Sequence, residues 1–155
     1  MTFKHGALLV VGSGPGIGQN VANVFAERGF EKVILLSRNK DRLPKDAEAV
    51  RSSCSSVKVD EIVADCADAE SVRKALEAAD KSLGQTPLEC ILYNSARPGS
   101  SDFFDFPAET LTADLQVSCS SWSSLQACPK SDTLYRYASS ACTPLPSGQC
   151  PSSSN

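Results

Sequence analysis

The chain has 155 residues, a formal net charge of −3 and 41% hydrophobic residues, which is enough material for about one globular domain. The small negative charge offers no broad positive surface for nucleic acid or anionic lipid. No apolar run approaches the roughly 20 residues that a membrane-spanning helix needs, and the first apolar run is too short for a secretory signal. We therefore expect a cytoplasmic protein with no nucleic-acid partner and no membrane partner.

Seven cysteines occur along the chain, and none of them forms a C-x-x-C pair. That spacing argues against a zinc ribbon and against a thioredoxin-like redox motif. In a reducing compartment such thiols stay free, and several of them behave as small hydrophobic side chains. We expect no metal site.

Strand-like and helix-like segments alternate up to about residue 115. The predicted strands are 7–11, 32–37, 57–65 and 88–94, and the predicted helices are 16–29, 39–54 and 68–84. The first two strands are continuous apolar runs, which is typical of strands that are buried on both faces. This alternation predicts βαβ units, and therefore an α/β fold with a doubly wound parallel sheet of the Rossmann type.

A glycine-rich loop joins the first predicted strand to the first predicted helix. In this position Gly12 permits a tight turn, Gly16 lets the backbone approach a pyrophosphate, and Gly18 lets the helix pack closely on the strand. The helix N-terminus attracts phosphate, and Ser13 adds a hydroxyl donor. A P-loop requires Gly-Lys-Ser/Thr, whereas Gln19 follows the last glycine here. Glycines that only shape a turn are the alternative, and the flanking strand and helix favour dinucleotide binding.

Basic residues follow the second predicted strand. A site for NAD needs an acidic side chain here to accept a hydrogen bond from the ribose 2′-hydroxyl. This chain has Ser37, Arg38 and Asn39 instead, with Lys40 and Arg42 just beyond. A guanidinium pairs with a 2′-phosphate, which a carboxylate would repel. The sequence thus favours NADP(H), against the alternative that Arg38 is a solvated residue at a helix start.

Four motifs, "VGSGPGIG", "LLSRNKDRL", "ADCAD" and "LYNSA", occur in the order and spacing of the short-chain dehydrogenase/reductase family. The chain resembles that family over about residues 4–115, although Val11 replaces the usual Thr and "NSAR" replaces N-N-A-G. The resemblance implies a strand order of 3-2-1-4 in a sheet truncated after four or five strands. It also implies contacts to pyrophosphate and ribose from Gly12, Ser13, Gly16, Ile17 and Gly18, to adenine from Asp65 and Cys66, and to the adenosine ribose from Asn94.

The same resemblance implies an alcohol/carbonyl oxidoreductase, whose acid/base is a Tyr followed four residues later by a Lys. The tyrosines of this chain are Tyr93, Tyr135 and Tyr137, and none has that Lys. Ser118 stands where the family has an Asn. Ser139 or Ser140 is the candidate for the family's substrate-orienting Ser, with Ser140 preferred of the two, although ordinary serines of a serine-rich tail are the favoured alternative. We therefore assign no catalytic residue.

The composition changes after about residue 115. Residues 116–155 contain twelve serines, four cysteines and four prolines but three charged residues, whereas the preceding 115 residues carry thirty charges. We expect a dinucleotide-binding domain over 1–115 and a poorly ordered tail over 116–155. The alternative to an oxidoreductase is then a truncated, catalytically inactive nucleotide-binding chain. Loss of the helices that pair the family's subunits makes its standard oligomer unexpected.

Overall fold

The computed structural model describes residues 5–96 and 107–120. Its elements, in chain order, are β1 (His5–Val11), α1 (Ile17–Glu27), β2 (Phe30–Ser37), α2 (Leu43–Ser53), β3 (Lys58–Val63), α3 (Ala69–Leu83), β4 (Leu88–Tyr93), α4 (Ala108–Leu115) and a π-helical turn, Gln116–Ser120. The four strands form one parallel sheet in the order β3-β2-β1-β4. The predicted fold class and strand order are confirmed.

The two central strands separate two hydrophobic clusters. Successive side chains of a strand point to opposite faces, so Leu9 and Ile34 pack toward α3 while Leu8 and Leu35 pack toward α1 and α2. All four side chains are at most 2% exposed. Helices therefore cover both faces of β1 and β2, and this explains why these strands are continuous apolar runs.

Backbone hydrogen bonds hold the segments that follow the strands. The N–H groups of Gly12 and Ser13 both donate to the carbonyl oxygen of Leu36, at 2.9 and 2.8 Å. The N–H of Asn94 donates to the carbonyl oxygen of Val11 at 2.8 Å. Because the strands are parallel, their carboxyl ends share one edge of the sheet, and these bonds fix the connecting segments at that edge.

Helical structure continues across the predicted boundary between residues 115 and 116. The turn Gln116–Ser120 follows α4 directly, and Val117 within it is 8% exposed. The hydroxyl of Tyr93 donates to the carbonyl oxygen of Val117, which connects the turn to the end of β4. The rest of the predicted tail lies outside the described residues, as do Tyr135, Tyr137 and Ser140. Within the described ranges, no helix combines the length and the apolar character needed to cross a membrane.

A partly buried lysine connects three elements at the opposite edge of the sheet. Lys32 donates to the Asp60 carboxylate at 2.9 Å and to the Ser82 hydroxyl at 3.2 Å, and the Ser82 hydroxyl donates to the same carboxylate. Burial alone raises the pKa of the Asp60 carboxyl. The hydrogen bonds from Ser82 and Lys32 and the nearby positive charges outweigh this effect, so the pKa lies below its ordinary value.

The lowered pKa predicts that Asp60 stabilises the fold in a pH-dependent way. A group whose pKa is lower in the folded state contributes stability above its unfolded pKa of about 3.9, and this stability disappears as the pH falls through the folded pKa. We expect Asp60→Asn to lower the free energy of unfolding by about 1 kcal/mol near neutral pH, since the carboxylate is 44% exposed and partly screened. The difference from wild type should vanish in strong acid.

Urea unfolding at a series of pH values measures this difference. Glu48→Gln is the matched control because the Glu48 side chain is 72% exposed and lies 3.9 Å from its arginine partner. We expect it to change stability by less than about 0.5 kcal/mol at every pH. An Asp60→Asn effect that does not vary with pH would contradict the assignment.

Candidate functional site

A cleft of about 620 Å³ opens at the carboxyl edge of the sheet, within the usual size range of small-molecule sites. The segments that follow all four strands contribute to it, together with Val117. Its lining residues are Gly12, Ser13, Gly14, Pro15, Gly16, Ile17, Ser37, Arg38, Asn39, Arg42, Ala64, Asp65, Cys66, Asn94, Ser95, Ala96 and Val117. Nine of the ten site residues expected from the sequence thus lie around one cavity. The tenth, Gly18, lies outside the lining.

The three motif glycines have different local surroundings. Gly12 has φ of 93°, and a Cβ there would lie 2.7 Å from the backbone nitrogen of Ser95. A Cβ on Gly18 would lie 2.7 Å from the carbonyl oxygen of Gly12. By contrast, a Cβ on Gly16 would have no atom within 4 Å. The protein's own packing therefore requires glycine at Gly12 and Gly18, whereas Gly16 borders open space in which a ligand would lie close to the backbone.

Backbone donors collect at the start of α1. Within the described residues, the N–H groups of Gly16, Ile17 and Gly18 have no hydrogen-bond acceptor, whereas the next two N–H groups donate to the carbonyl oxygens of Gly14 and Gly16. These are the N–H groups that a helix leaves unsatisfied at its N-terminus, where its dipole is positive. This end of the cleft is therefore suited to an anion.

The Ser13 hydroxyl has a partner within the protein, whereas the sequence predicts it as a hydrogen-bond donor to the ligand. The hydroxyl donates to the Asp46 carboxylate at 2.9 Å, and the Ser13 N–H is bonded to Leu36. A hydroxyl has one proton to donate, so the contact with Asp46 uses it. Ser13 lines the cleft but directs both of its donors into the protein.

Two arginines lie beside the end of β2. Arg38 forms no ion pair within the described residues, while the Nε atom of Arg42 lies 3.3 Å from Oδ1 of Asp46. Asp46 is 1% exposed and lies behind the lining. The side chains from this connection that reach the cleft are Ser37, Arg38, Asn39 and Arg42, and none is acidic. The local charge therefore favours a second anionic group, separate from the one at the start of α1.

Asp65 and Cys66 form the wall after β3. One oxygen of Asp65 accepts a hydrogen bond from the backbone N–H of Ala67 at 2.9 Å, which fixes the turn. Burial raises the pKa of the Cys66 thiol, and a hydrogen bond with Ser95 and the charge of Arg38 only partly oppose this. Cys66 therefore stays protonated near neutral pH and forms a polarisable wall rather than a nucleophile.

Asn94 joins the end of β4 to the glycine loop. Its side-chain amide donates to the carbonyl oxygen of Gly12 at 3.2 Å. This contact fixes the loop from the β4 side, next to the place where the Gly12 backbone meets Ser95.

The residues of this region that the sequence did not predict include Asp46, Ser95 and Val117. Asp46 lies in the first turn of α2, where an acidic residue is ordinarily solvated, and its burial follows from the packing of α2 against the loop. The signal that was available is its position four residues after Arg42, the spacing of a helical ion pair.

The doubly wound parallel sheet and the glycine-rich loop at its carboxyl edge place this protein in the class of Rossmann-like nucleotide-binding domains. The family model described as short chain dehydrogenase matches residues 6–127. The chain therefore belongs to the short-chain dehydrogenase family. The matched range continues past residue 115, where the sequence predicts the domain to end.

Individual relatives are similar to parts of the chain. An uncharacterized oxidoreductase of Caenorhabditis elegans is 40% identical over 88 residues, which cover 57% of this chain and 27% of that protein. A short chain dehydrogenase of Aspergillus terreus is 33% identical over 79 residues, which cover 48% of this chain and 25% of that protein. The chain thus spans about a quarter of the length of these curated relatives.

Solved structures share the fold at low sequence identity. L-sorbose reductase from Gluconobacter frateurii, complexed with NADPH and L-sorbose, has a TM-score of 0.71 at 23% identity, covering 83% of this chain and 47% of that one. An NAD⁺-bound xylitol dehydrogenase has a TM-score of 0.71 at 24% identity, covering 83% of this chain and 48% of that one. The chain spans about half the length of these structures.

The loop geometry predicts opposite outcomes for two glycines of the same loop. We expect Gly18→Ala to lower the free energy of unfolding by about 2 kcal/mol, because its Cβ would meet the backbone of Gly12, which cannot move as a side chain does. Gly14→Ala is the matched control, since its Cβ would enter open space and its φ lies outside the left-handed region. We expect that variant to stay within about 0.5 kcal/mol of wild type in urea unfolding. Equal losses at the two positions would contradict the close approach of α1 to the loop.

Proposed function

We propose that this chain is an NADP(H)-binding protein of the short-chain dehydrogenase family and, through that membership, an oxidoreductase that acts on an alcohol/carbonyl pair. The carrying observation is that the connection after β2 supplies Arg38 and Arg42 to the same cleft as the glycine loop, and that none of the side chains of this connection that line the cleft is acidic. A guanidinium recognises a 2′-phosphate through paired hydrogen bonds, and NAD has no such group. Membership of the short-chain dehydrogenase family supports the reaction class.

The fold alone leaves the choice of nucleotide open. Among the solved structures that share it, L-sorbose reductase is complexed with NADPH and xylitol dehydrogenase is bound to NAD⁺. The charge beside β2 is therefore the argument for NADP(H) in this chain.

The proposed arrangement assigns one part of the cofactor to each segment. The pyrophosphate lies at Gly16 and Ile17, where open space meets free N–H groups. The 2′-phosphate lies at Arg38, and the adenine lies against Asp65 and Cys66. The remaining contacts expected from the sequence are those of Gly12, Ser37 and Asn94. Ser13 and Gly18, which the sequence also predicts as contacts, act here through the protein's own packing and hydrogen bonds. NADP(H) supplies the chemistry of hydride transfer to or from a small carbonyl or alcohol substrate.

Proton transfer is the part of the reaction for which this sequence lacks the family's Tyr-x-x-x-Lys pair. Reduction of a carbonyl places a negative charge on oxygen, which an acid must neutralise. None of the three tyrosines has a lysine four residues on, and the Tyr93 hydroxyl donates to Val117. This observation favours a second candidate function, a nucleotide-binding chain without turnover of its own.

Arg38 should control the choice between the two nucleotides. We expect Arg38→Ala to weaken NADPH binding at least about tenfold and NADH binding less than about twofold, because only NADPH carries the phosphate that the guanidinium contacts. Fluorescence titration of each nucleotide measures both dissociation constants. Arg28→Ala is the matched control, since Arg28 ends α1 at the opposite edge of the sheet. Equal and weak binding of both nucleotides to the wild-type chain would overturn the proposal.

The missing acid/base predicts binding without catalysis. We expect the chain to oxidise NADPH no faster than buffer alone does when it is mixed with a panel of ketones and aldehydes. The loss of NADPH absorbance measures this rate. A full-length short-chain dehydrogenase assayed in parallel shows that the panel supports turnover. Activity of this chain above background would reject the second candidate and assign the whole reaction to these 155 residues.

A further inference from the structure

A buried carboxylate lies behind the cleft and touches two of its walls. Asp46 is 1% exposed, and each of its oxygens has its own partner. Oδ2 accepts the Ser13 hydroxyl at 2.9 Å, and Oδ1 lies 3.3 Å from Nε of Arg42. A buried carboxylate is costly unless it is paired and hydrogen-bonded, so these two contacts account for its place in the fold.

We propose that Asp46 is a positioning residue for the cofactor, one that sets the glycine loop and Arg42 relative to each other. The inference rests on the proposed function, because it takes NADP(H) as the ligand of the cleft. The loop presents the donors for the pyrophosphate, and Arg42 adds a second cation for the 2′-phosphate beside Arg38. Asp46 touches neither group of the cofactor and acts through Ser13 and Arg42.

The contact with Arg42 leaves the outer edge of the guanidinium available. Asp46 lies against Nε, and the two terminal amines of Arg42 have no partner within the described residues. The Nε contact is an ion pair without the alignment of a hydrogen bond, so charge attraction holds the group in place. The side chain is 39% exposed and lines the cleft. Its free amines form a planar pair of donors that matches a phosphate.

The contact with Ser13 anchors the loop from the other side. The Ser13 N–H is held by Leu36 and its hydroxyl by Asp46, so both donors of this residue are fixed. The residues that follow, Gly16 and Ile17, keep their N–H groups free for the ligand. Removing the carboxylate would leave the Ser13 hydroxyl, which belongs to a residue only 7% exposed, without its acceptor.

The negative charge of Asp46 acts against its positioning role. A carboxylate near a phosphate repels it, so removing the charge alone would strengthen NADPH binding. Asp46, however, is buried behind the guanidinium of Arg42, and the phosphate would meet the amines of Arg42 first. We therefore expect the loss of orientation to exceed the gain from reduced repulsion. Loss of orientation would weaken NADPH binding and loss of repulsion would strengthen it, so the direction of the change in Asp46→Asn shows which effect is larger.

Asp46→Asn keeps the size of the side chain and removes its charge. The amide oxygen can still accept from the Ser13 hydroxyl, but the amide nitrogen, a donor, then faces Nε of Arg42, and no negative charge attracts the guanidinium. We expect the dissociation constant of NADPH to rise about fivefold to twentyfold and that of NADH to rise less than about threefold. The readout is the ratio of the two constants, measured by fluorescence titration well below the unfolding temperature.

Val50→Ala is the control for a purely structural effect. Val50 is fully buried on α2, one turn beyond Asp46, and its truncation lowers stability without removing a polar contact. We expect the ratio of the two dissociation constants to stay at the wild-type value in this variant. A ratio that changes equally in Val50→Ala and Asp46→Asn would overturn the inference, as would tighter NADPH binding or an unchanged ratio in Asp46→Asn.

Ser13→Ala provides a second measurement, which tests the role of Asp46 even if Asp46→Asn does not fold. It removes the hydrogen bond between the glycine loop and Asp46 and leaves the contact between Asp46 and Arg42. We expect NADPH and NADH binding to weaken by the same factor, about threefold to tenfold, because both nucleotides carry the pyrophosphate. Unchanged binding in Ser13→Ala would overturn the inference. A wild-type chain without preference for NADPH would instead refute the proposed function, so the two failures are distinguishable.

Discussion

The position of β1 between β2 and β4 is the constraint on which the site depends. Val11 pairs with Leu36 on one side and with Tyr93 on the other, so the three strands end at the same level. The carbonyl oxygens of Leu36 and Val11 then accept the N–H groups that begin the next segments. A shift of one residue in either pairing would reverse the facing of every side chain of that strand and move these segments apart.

Close backbone contact has a further consequence at this edge. Because the Gly12 turn lies against Asn94 and Ser95, and α1 lies against Gly12, no side chain fits at the first or the last motif glycine. The same compactness leaves the N-terminus of α1 directed at the cleft with its N–H groups unsatisfied. The glycine pattern is thus in part a requirement of the protein's own packing and in part, at Gly16, a requirement of the space beside it.

The features suited to a nucleotide and the family's Tyr-x-x-x-Lys acid/base do not occur together in this sequence. The features suited to a nucleotide, the loop, the arginines and the wall after β3, all lie within the described residues. The acid/base that hydride transfer requires is absent from the whole sequence in the form that the family uses. Family membership extends to residue 127, so the change of composition after residue 115 falls inside the matched range. The boundary between domain and tail stays a prediction.

The sheet, the glycine loop and the edge that holds the site could be predicted from the sequence, because the signals for them are local. Alternating apolar and amphipathic segments predicted the parallel sheet, and the spacing of Gly12, Gly16 and Gly18 predicted the loop. The positions of Arg38 and Asp65 directly after strands placed them at one edge, since parallel strands end together. These inferences depend on neighbours in the chain, and there the sequence is sufficient.

Tertiary structure alone decided what happens between distant segments. Asp46 is 33 positions from Ser13 in the sequence. Nothing in the sequence around either residue indicates that the Asp46 carboxylate is buried against the Ser13 hydroxyl. The packing of α2 against the loop brings them together, and this redirects Ser13 from the ligand to the protein. Val117 reaches the cleft in the same way, through its contact with Tyr93. Such contacts arise from the way packed elements meet, and no periodicity along the chain records them.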